Sequence, residues 1–131
     1  MTDPEFKHIA IIGIGLLGSS IAHAVTAYGG AERVSMWDIY DDVRCRAARV
    51  VPGAEATTAQ EDVAGADCVF LCTPVGVLKE ITAQIAGGMA NGAILTDVGS
   101  VKAKAAADMG SACPAHVHLI PGHPIAGTEK S

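Results

Sequence analysis

The chain has 131 residues, of which 50% are hydrophobic and 4% are aromatic, and it carries a formal net charge of −5 at pH 7. This is enough apolar material for one domain with a core, and the many small residues favour helices packed closely on a sheet. The charge pattern has no basic stripe and so argues against nucleic acid as a partner. The sequence has no signal peptide and no apolar stretch long enough to span a bilayer, which predicts a cytoplasmic protein with no membrane contact.

Apolar runs alternate along the chain with segments of helical spacing. In chain order these patterns predict a strand at 7–12, a helix at 16–28, a strand at 33–37, a helix at 41–50, a short strand at 54–57, a weak helix at 58–64, a strand at 67–72, a helix at 75–86, a strand at 93–96, an Ala-rich helix at 101–109 and a strand at 117–120. Because the strands are almost continuously apolar and are separated by helices, the predicted fold class is α/β: a doubly wound, mostly parallel sheet of the Rossmann type, with helices on both faces.

The cysteines and the paired histidines do not predict a metal site. The four cysteines follow no zinc-binding spacing; they are Cys45, Cys68, Cys72 and Cys113. Cys68 and Cys72 fall on one face of a predicted strand, and we interpret them as small buried residues rather than as a redox or metal pair. His116 and His118 share a face of the last predicted strand, and without further ligands we interpret them as structural.

A glycine-rich loop joins the first predicted strand to the first predicted helix. Its sequence is GIGLLG, beginning at Gly13. Gly13 permits a tight turn, Gly15 lets the backbone approach a pyrophosphate, and Gly18 lets helix and strand pack closely. The N-terminus of the helix would present free N–H groups and the positive end of its dipole to phosphates, with Leu16 and Leu17 in the same loop. In this context the loop predicts a dinucleotide-binding site.

Asp38 follows the second predicted strand, at the distance from the loop where an acidic side chain typically accepts hydrogen bonds from the adenosine ribose. Its charge would repel a 2′-phosphate, so NAD is expected and NADP is disfavoured. The neighbouring Arg44 and Arg46 argue weakly in the opposite direction. The alternative for Asp38 is that it only caps the helix that follows.

Ligands of such a sheet bind beyond the carboxyl ends of its strands, where this chain places polar residues. Thr73 and Pro74 follow one strand and are expected to run beside the cofactor, although an ordinary strand-to-helix turn is the alternative. Ser100 follows the next strand and suits either a helix N-cap or a substrate contact. His123 follows the last strand, and its imidazole is suited to take the proton of a substrate hydroxyl when hydride is removed.

Four stretches together resemble the N-terminal domain of the prephenate dehydrogenase family, which includes arogenate and cyclohexadienyl dehydrogenases. They are GIGLLGSS from Gly13, LCTPV from Leu71, TDVGSVK from Thr96 and GHPIAGTEKS from Gly122. The resemblance spans nearly the whole chain and implies an NAD(P)-dependent oxidative decarboxylation of prephenate or arogenate in tyrosine biosynthesis. In that reaction hydride leaves the ring carbon that bears the 4-hydroxyl, carbon dioxide is lost and the ring becomes aromatic.

The resemblance also implies roles for individual residues. His123 would hydrogen-bond the 4-hydroxyl and assist its deprotonation, Ser100 would contact the same region and orient that histidine, and Thr128 and Glu129 would line the substrate pocket. The expected cofactor-binding residues are Gly13, Gly15, Leu16, Leu17, Gly18, Asp38, Thr73 and Pro74.

The family has a second, mostly helical domain that supplies a dimer interface and an arginine for a substrate carboxylate. This chain stops inside the GHPIAGTEKS motif, so residues 1–131 are expected to form the dinucleotide-binding domain, with little or no dehydrogenase activity by itself, of an intact homodimer. Two alternatives remain. A β-hydroxyacid dehydrogenase would not need His123 before Pro124, and a non-catalytic nucleotide-sensing domain would need the glycine loop and Asp38 but not Ser100 and His123.

Overall fold

The computed structural model describes residues 6–57, 65–98, 107 and 109–121. Within these ranges the elements are β1 (Phe6–Ile12), α1 (Leu16–Tyr28), β2 (Ala31–Trp37), α2 (Asp41–Val50), β3 (Glu55–Ala56), β4 (Cys68–Leu71), a 3-10 turn (Val75–Val77), α3 (Leu78–Ile85), a second 3-10 turn (Ala86–Gly88), β5 (Ile94–Asp97) and β6 (His118–Pro121). None of the helices in these ranges has the length and apolar character needed to cross a membrane.

The first helix ends where the sequence predicts, at a pair of glycines. Gly29 adopts the left-handed conformation with φ of 66°, and the N–H groups of Gly29 and Gly30 both bond to the carbonyl of Val25. The chain then enters β2 at Ala31, earlier than the predicted residue 33. The strand is longer than expected because the glycine turn places the chain directly beside β1, so that backbone pairing with β1 begins at Ala31.

The helix predicted at 75–86 is shorter and less regular in the structure. It opens with a 3-10 turn in which the N–H of Val77 bonds to the carbonyl of Pro74 at 3.1 Å, and the α-helix begins only at Leu78. Gly76, a poor helix former, lies inside this turn. The helix predicted at 58–64 lies outside the described residues, as does most of the one at 101–109, although residues 107, 109 and 110 are helical.

All the strands pair in parallel, in the order β3-β2-β1-β4-β5-β6 among the described residues. This confirms the predicted doubly wound α/β sheet. The chain runs from β1 outward to β2 and β3, and then returns to β4 on the other side of β1. The register sets Ile12 opposite both Trp37 and Leu71, so the carboxyl ends of β1, β2 and β4 lie side by side. A crevice at such a reversal of strand order is where ligands bind in this fold class.

The two faces of the sheet carry separate hydrophobic cores. On β1, Ile12 belongs to a cluster that includes Leu78 of α3. Ile11 belongs to the opposite cluster, with Ala22 of α1 and Ala47 of α2. Successive side chains of a strand point to opposite faces, so a continuously apolar strand requires a helix layer on each side. The sheet is therefore covered on both faces, as the sequence predicts.

Candidate functional site

A cleft of about 570 Å³ opens at the reversal of strand order, beyond the carboxyl ends of β1, β2 and β4. Its walls come from the loop after β1, the turn after β2 with the start of α2, and the turn after β4 with one face of α3. The lining residues are Gly13, Gly15, Trp37, Asp38, Ile39, Tyr40, Val43, Arg46, Cys72, Thr73, Pro74, Val77, Glu80, Ile81 and Gln84. Five of the eight predicted cofactor-binding residues therefore lie in one cleft: Gly13, Gly15, Asp38, Thr73 and Pro74.

The three glycines of the loop differ in what surrounds them. Gly13 has φ of 93°, and a Cβ there would lie 2.8 Å from the backbone carbon and oxygen of Cys72. A Cβ on Gly18 would overlap the carbonyl oxygen of Gly13. A Cβ on Gly15 would meet nothing within 4 Å and would point into open space. The fold itself therefore requires glycine at positions 13 and 18, whereas at position 15 the space is free for a ligand.

Helix α1 begins at this loop with Gly15 as its N-cap, and no side chain caps its first N–H groups. Uncapped N–H groups and the positive end of the helix dipole attract an anion. Leu16 and Leu17 do not line the cleft; Leu16 is 89% exposed and Leu17 is 42% exposed. Gly18 does not line the cleft either, because it lies where α1 packs against the loop.

Asp38 is held by the backbone on both of its carboxylate oxygens. Oδ2 accepts the N–H of Ile14 at 2.9 Å, and Oδ1 accepts the N–H of Tyr40 at 3.1 Å. A carboxylate has about four acceptor positions, so about two remain for other donors. The N-cap of α2 is Tyr40 rather than Asp38, and it makes no side-chain cap hydrogen bond. The structure thus places Asp38 as a link between the glycine loop and the turn after β2, and it does not cap the following helix.

The two nearby arginines point to different surroundings. Arg44 is 16% exposed; its Nη1 donates to the main-chain oxygen of Asp38 at 2.6 Å and its Nη2 to Asp41 at 3.0 Å. Arg46 is exposed and lines the cleft. Residues two positions apart do not share a helix face. Of this pair, Arg46 borders the cleft, whereas the guanidinium of Arg44 is hydrogen-bonded to Asp38 and Asp41.

The turn after β4 brings two polar side chains to the opposite wall. The Oγ1 of Thr73 is buried and has no hydrogen-bond partner within the part of the chain that the structure describes. Cys72 lines the cleft beside it, and burial together with the charge of Asp97 raises the pKa of its thiol to about 12. Cys68, on the same face of β4, also has its pKa raised, to about 11, by burial and by Asp67. Both thiols are therefore protonated at neutral pH. Cys68 is buried as predicted, whereas Cys72 is only partly buried.

Other predicted residues are either remote from the cleft or not described. The Nε2 of His116 lies 3.0 Å from the carbonyl oxygen of Met89, a contact that fits its structural interpretation. His118 is exposed on β6. Among the described residues, no group of three or more His, Cys, Asp or Glu side chains is arranged to hold a metal ion. The remaining predicted site residues lie outside the described residues; they are Ser100, His123, Thr128 and Glu129.

Most of the apolar wall of the cleft consists of residues that were not predicted from the sequence. Ile39 and Tyr40 follow Asp38 and are 71% and 65% exposed, although both are large hydrophobic residues. Two such residues at the end of a strand are a signal that sequence reasoning can use, because a ligand surface explains their exposure. The 3-10 turn contributes Val77 and α3 contributes Ile81 to the same wall. The two residues lie four positions apart and therefore point to the same side.

A parallel doubly wound sheet, a tight glycine turn into a helix N-terminus, and an acidic residue after the second strand together define a nucleotide-binding domain. A family model described as "Prephenate dehydrogenase, nucleotide-binding domain" matches residues 21–131. The chain belongs to this family.

Individual relatives agree with the family match. The chain is 41% identical over 127 residues to a cyclohexadienyl dehydrogenase of Zymomonas mobilis, covering 96% of this chain and 43% of the relative. It is 31% identical over 125 residues to a prephenate dehydrogenase of Bacillus subtilis, covering 94% and 34% respectively. Its structure is similar to that of prephenate dehydrogenase from A. aeolicus in complex with hydroxyphenyl propionate and NAD+, with a TM-score of 0.81, 29% identity, and coverage of 98% of this chain and 45% of that one. The chain thus spans less than half the length of these relatives.

Proposed function

We propose that this chain is the cofactor-binding part of an enzyme that catalyses the NAD-dependent oxidative decarboxylation of prephenate, arogenate or both, in tyrosine biosynthesis. The observation that carries the proposal is the joint position of Gly15 and Asp38 in one cleft, linked by the hydrogen bond from the Ile14 N–H to the Asp38 carboxylate. The family match favours this function over a β-hydroxyacid dehydrogenase or a nucleotide-sensing domain.

The residues of the cleft fit a dinucleotide. The open space at Gly15 and the uncapped N-terminus of α1 suit a pyrophosphate. The free acceptor positions of Asp38 suit the adenosine ribose hydroxyls, and its charge opposes a 2′-phosphate. On the opposite wall, the unpartnered Oγ1 of Thr73 has a donor and acceptor to offer, and Pro74 borders the same space. We therefore assign pyrophosphate binding to Gly15, ribose recognition to Asp38, and contacts along the cofactor to Thr73 and Pro74.

The chemical step depends on the geometry around the nicotinamide. When bound, NAD supplies the hydride acceptor for the ring carbon that bears the 4-hydroxyl. In our proposal His123 hydrogen-bonds that hydroxyl and takes its proton, Ser100 orients the histidine, and Thr128 and Glu129 line the substrate pocket. These four roles rest on the resemblance of the motifs to the family. The protein mainly orients the two reactants and polarises the hydroxyl, since aromatisation of the ring supplies the driving force.

We further propose that residues 1–131 act as the dinucleotide-binding domain of a cytoplasmic homodimer, whose dimer interface and substrate-carboxylate arginine belong to a second domain. The greater length of the relatives supports this division. The 131-residue chain alone is then expected to bind NAD and to turn over little or no prephenate.

Calorimetric titration of the chain with NAD and with NADP tests the cofactor assignment. We expect saturable NAD binding and NADP binding at least about tenfold weaker, a difference of about 1.4 kcal/mol. The variant Asp38→Asn removes the charge and keeps the size of the side chain, so it should narrow the preference between the two nucleotides. A folded chain that binds neither nucleotide would contradict the proposal.

A further inference from the structure

Arg44 contacts the turn that carries Asp38. Its Nη1 donates to the main-chain oxygen of Asp38 at 2.6 Å, across six positions of the chain, and its Nη2 donates to Asp41 at 3.0 Å. Arg44 does not line the cleft itself. The guanidinium therefore joins helix α2 to the turn that carries Asp38 without lining the ligand space.

Asp38 is consequently held at three points. Its side chain accepts the N–H of Ile14 from the glycine loop and the N–H of Tyr40 from its own turn, and its main chain accepts Arg44. The first two contacts orient the carboxylate, and the third fixes the backbone from which it projects. A charge-assisted hydrogen bond at 2.6 Å is short and restricts that backbone strongly.

Stability does not explain the position of Arg44 well. Its side chain is only 16% exposed, and the side chain of its ion-pair partner Asp41 is 82% exposed. Its Nε is buried and finds no hydrogen-bond partner among the described residues. A largely buried guanidinium loses much of its hydration, and two hydrogen bonds with one N–H left unpaired offset that loss only in part. The pair with an exposed carboxylate contributes little as well. The arrangement therefore adds little net stability to the fold, but it fixes the geometry of the turn at Asp38.

We propose that Arg44 is a positioning residue for ribose recognition: it holds the Asp38 turn so that the carboxylate meets the ribose hydroxyls without reorganisation. This inference rests on the proposed NAD-binding function. Preorganisation raises affinity because the bound geometry is already populated before the ligand arrives. It also sharpens selectivity, since a fixed carboxylate repels a 2′-phosphate that a mobile one can avoid.

The consequences differ for the two nucleotides. Replacing Arg44 by Met keeps a long side chain and removes both hydrogen bonds. NAD binding should weaken about tenfold, because the carboxylate has to be ordered on binding. NADP binding should change much less, because a mobile Asp38 repels the 2′-phosphate less. The variant Arg44→Lys keeps one charged donor and should recover part of the NAD affinity.

Calorimetric titration with NAD and NADP tests the inference on wild type, Arg44→Met and Arg44→Lys. Arg49→Met is the matched control, because Arg49 is an exposed arginine in the last turn of the same helix and does not line the cleft. The cycle is completed by Asp38→Ala and by the double variant Asp38→Ala with Arg44→Met. Melting temperatures of all variants separate folding from binding.

The expected result is a loss of NAD affinity in Arg44→Met, partial recovery in Arg44→Lys, no change in Arg49→Met, and no further effect of Arg44→Met once Asp38 is absent. Unchanged NAD affinity in Arg44→Met would overturn the inference and leave the proposed function standing. Equal losses for NAD and NADP, or a similar loss in Arg49→Met, would overturn it too, since they indicate general loosening or a charge effect. A wild-type chain that binds no NAD would overturn the proposed function, and this inference with it.

Discussion

The glycine loop makes a prediction that separates ligand binding from folding. Gly15→Ala and Gly18→Ala add the same methyl group three positions apart in one loop. A Cβ at position 15 would point into open space, and the backbone of Gly15, with φ of −76° and ψ of −157°, suits any residue. A Cβ at position 18 would overlap the carbonyl oxygen of Gly13.

The stability change at Gly15 is expected to be small. Replacing glycine by alanine restricts the unfolded chain and stabilises by about 0.4–1 kcal/mol. Alanine is a poorer N-cap than glycine, which opposes this gain by a similar amount, about 0.5–1 kcal/mol. The free energy of unfolding should therefore stay within about 0.5 kcal/mol of wild type. The methyl group would fill the space assigned to the pyrophosphate, so NAD affinity should fall at least about tenfold.

The change at Gly18 has the opposite character. The obstructing group is backbone, and the carbonyl of Gly13 cannot rotate away easily because the N–H of Ile14, in the same planar peptide unit, bonds to Asp38 at 2.9 Å. Overpacking of this kind destabilises by about 3 kcal/mol, and the better helix propensity of alanine returns about 1 kcal/mol. A net loss of about 2 kcal/mol lowers the melting temperature by about 6–10 °C in a domain of this size.

Thermal denaturation followed by circular dichroism, with parallel calorimetric titration with NAD, checks both variants. The prediction fails if Gly15→Ala is folded and binds NAD like wild type, since the pyrophosphate then lies elsewhere. It also fails if Gly18→Ala melts like wild type, because the tight contact with Gly13 would then have no energetic weight.

Two further predictions concern side chains that are buried or partly buried. Thr82 is fully buried, and its hydroxyl has no partner among the residues that the structure describes. Thr82→Val should therefore raise the free energy of unfolding by about 1 kcal/mol in urea denaturation, whereas Thr82→Ser should lower it. A less stable valine variant would contradict this. Burial raises the pKa of Cys72 from 9.0 to about 12 and that of Cys68 to about 11. Between these values the folded chain keeps protons that the unfolded chain releases. The free energy of unfolding should therefore fall as pH rises from about 9 towards about 12. Replacing either cysteine by alanine should make urea midpoints less dependent on pH over this range, and an unchanged slope would refute the assignment.

The sequence predicted the elements well because their signals are local. The spacing of apolar residues marks α1 and α2, and Gly29 ends α1 because glycine readily adopts the left-handed conformation seen there. The departure at Val75–Val77 has a different origin. Apolar spacing does not distinguish an α-helix from a 3-10 turn, since the choice depends on which carbonyl each N–H reaches.

The candidate site was predicted in part. The positions of Gly15 and Asp38 follow from motif spacing, and both line the cleft. The sequence left the roles of Arg44 and Arg46 open, because nothing in their spacing says which face of α2 meets the cleft. Packing of Ala47 against the sheet fixes the rotation of that helix, and Arg46 then borders the ligand space.

The sequence by itself determined the class of this protein: alternating strands and helices, a glycine turn before α1, and an acidic residue after β2. These depend on backbone preferences and on periodicity over a few residues. Only the tertiary structure decided which groups meet. Strand β4 pairs beside β1, and this crossover brings Cys72 against Gly13 and the apolar side chains of α3 to the cleft opposite Asp38. Such contacts join residues that are far apart along the chain. They form only when the strands pair and the helices pack on both faces of the sheet.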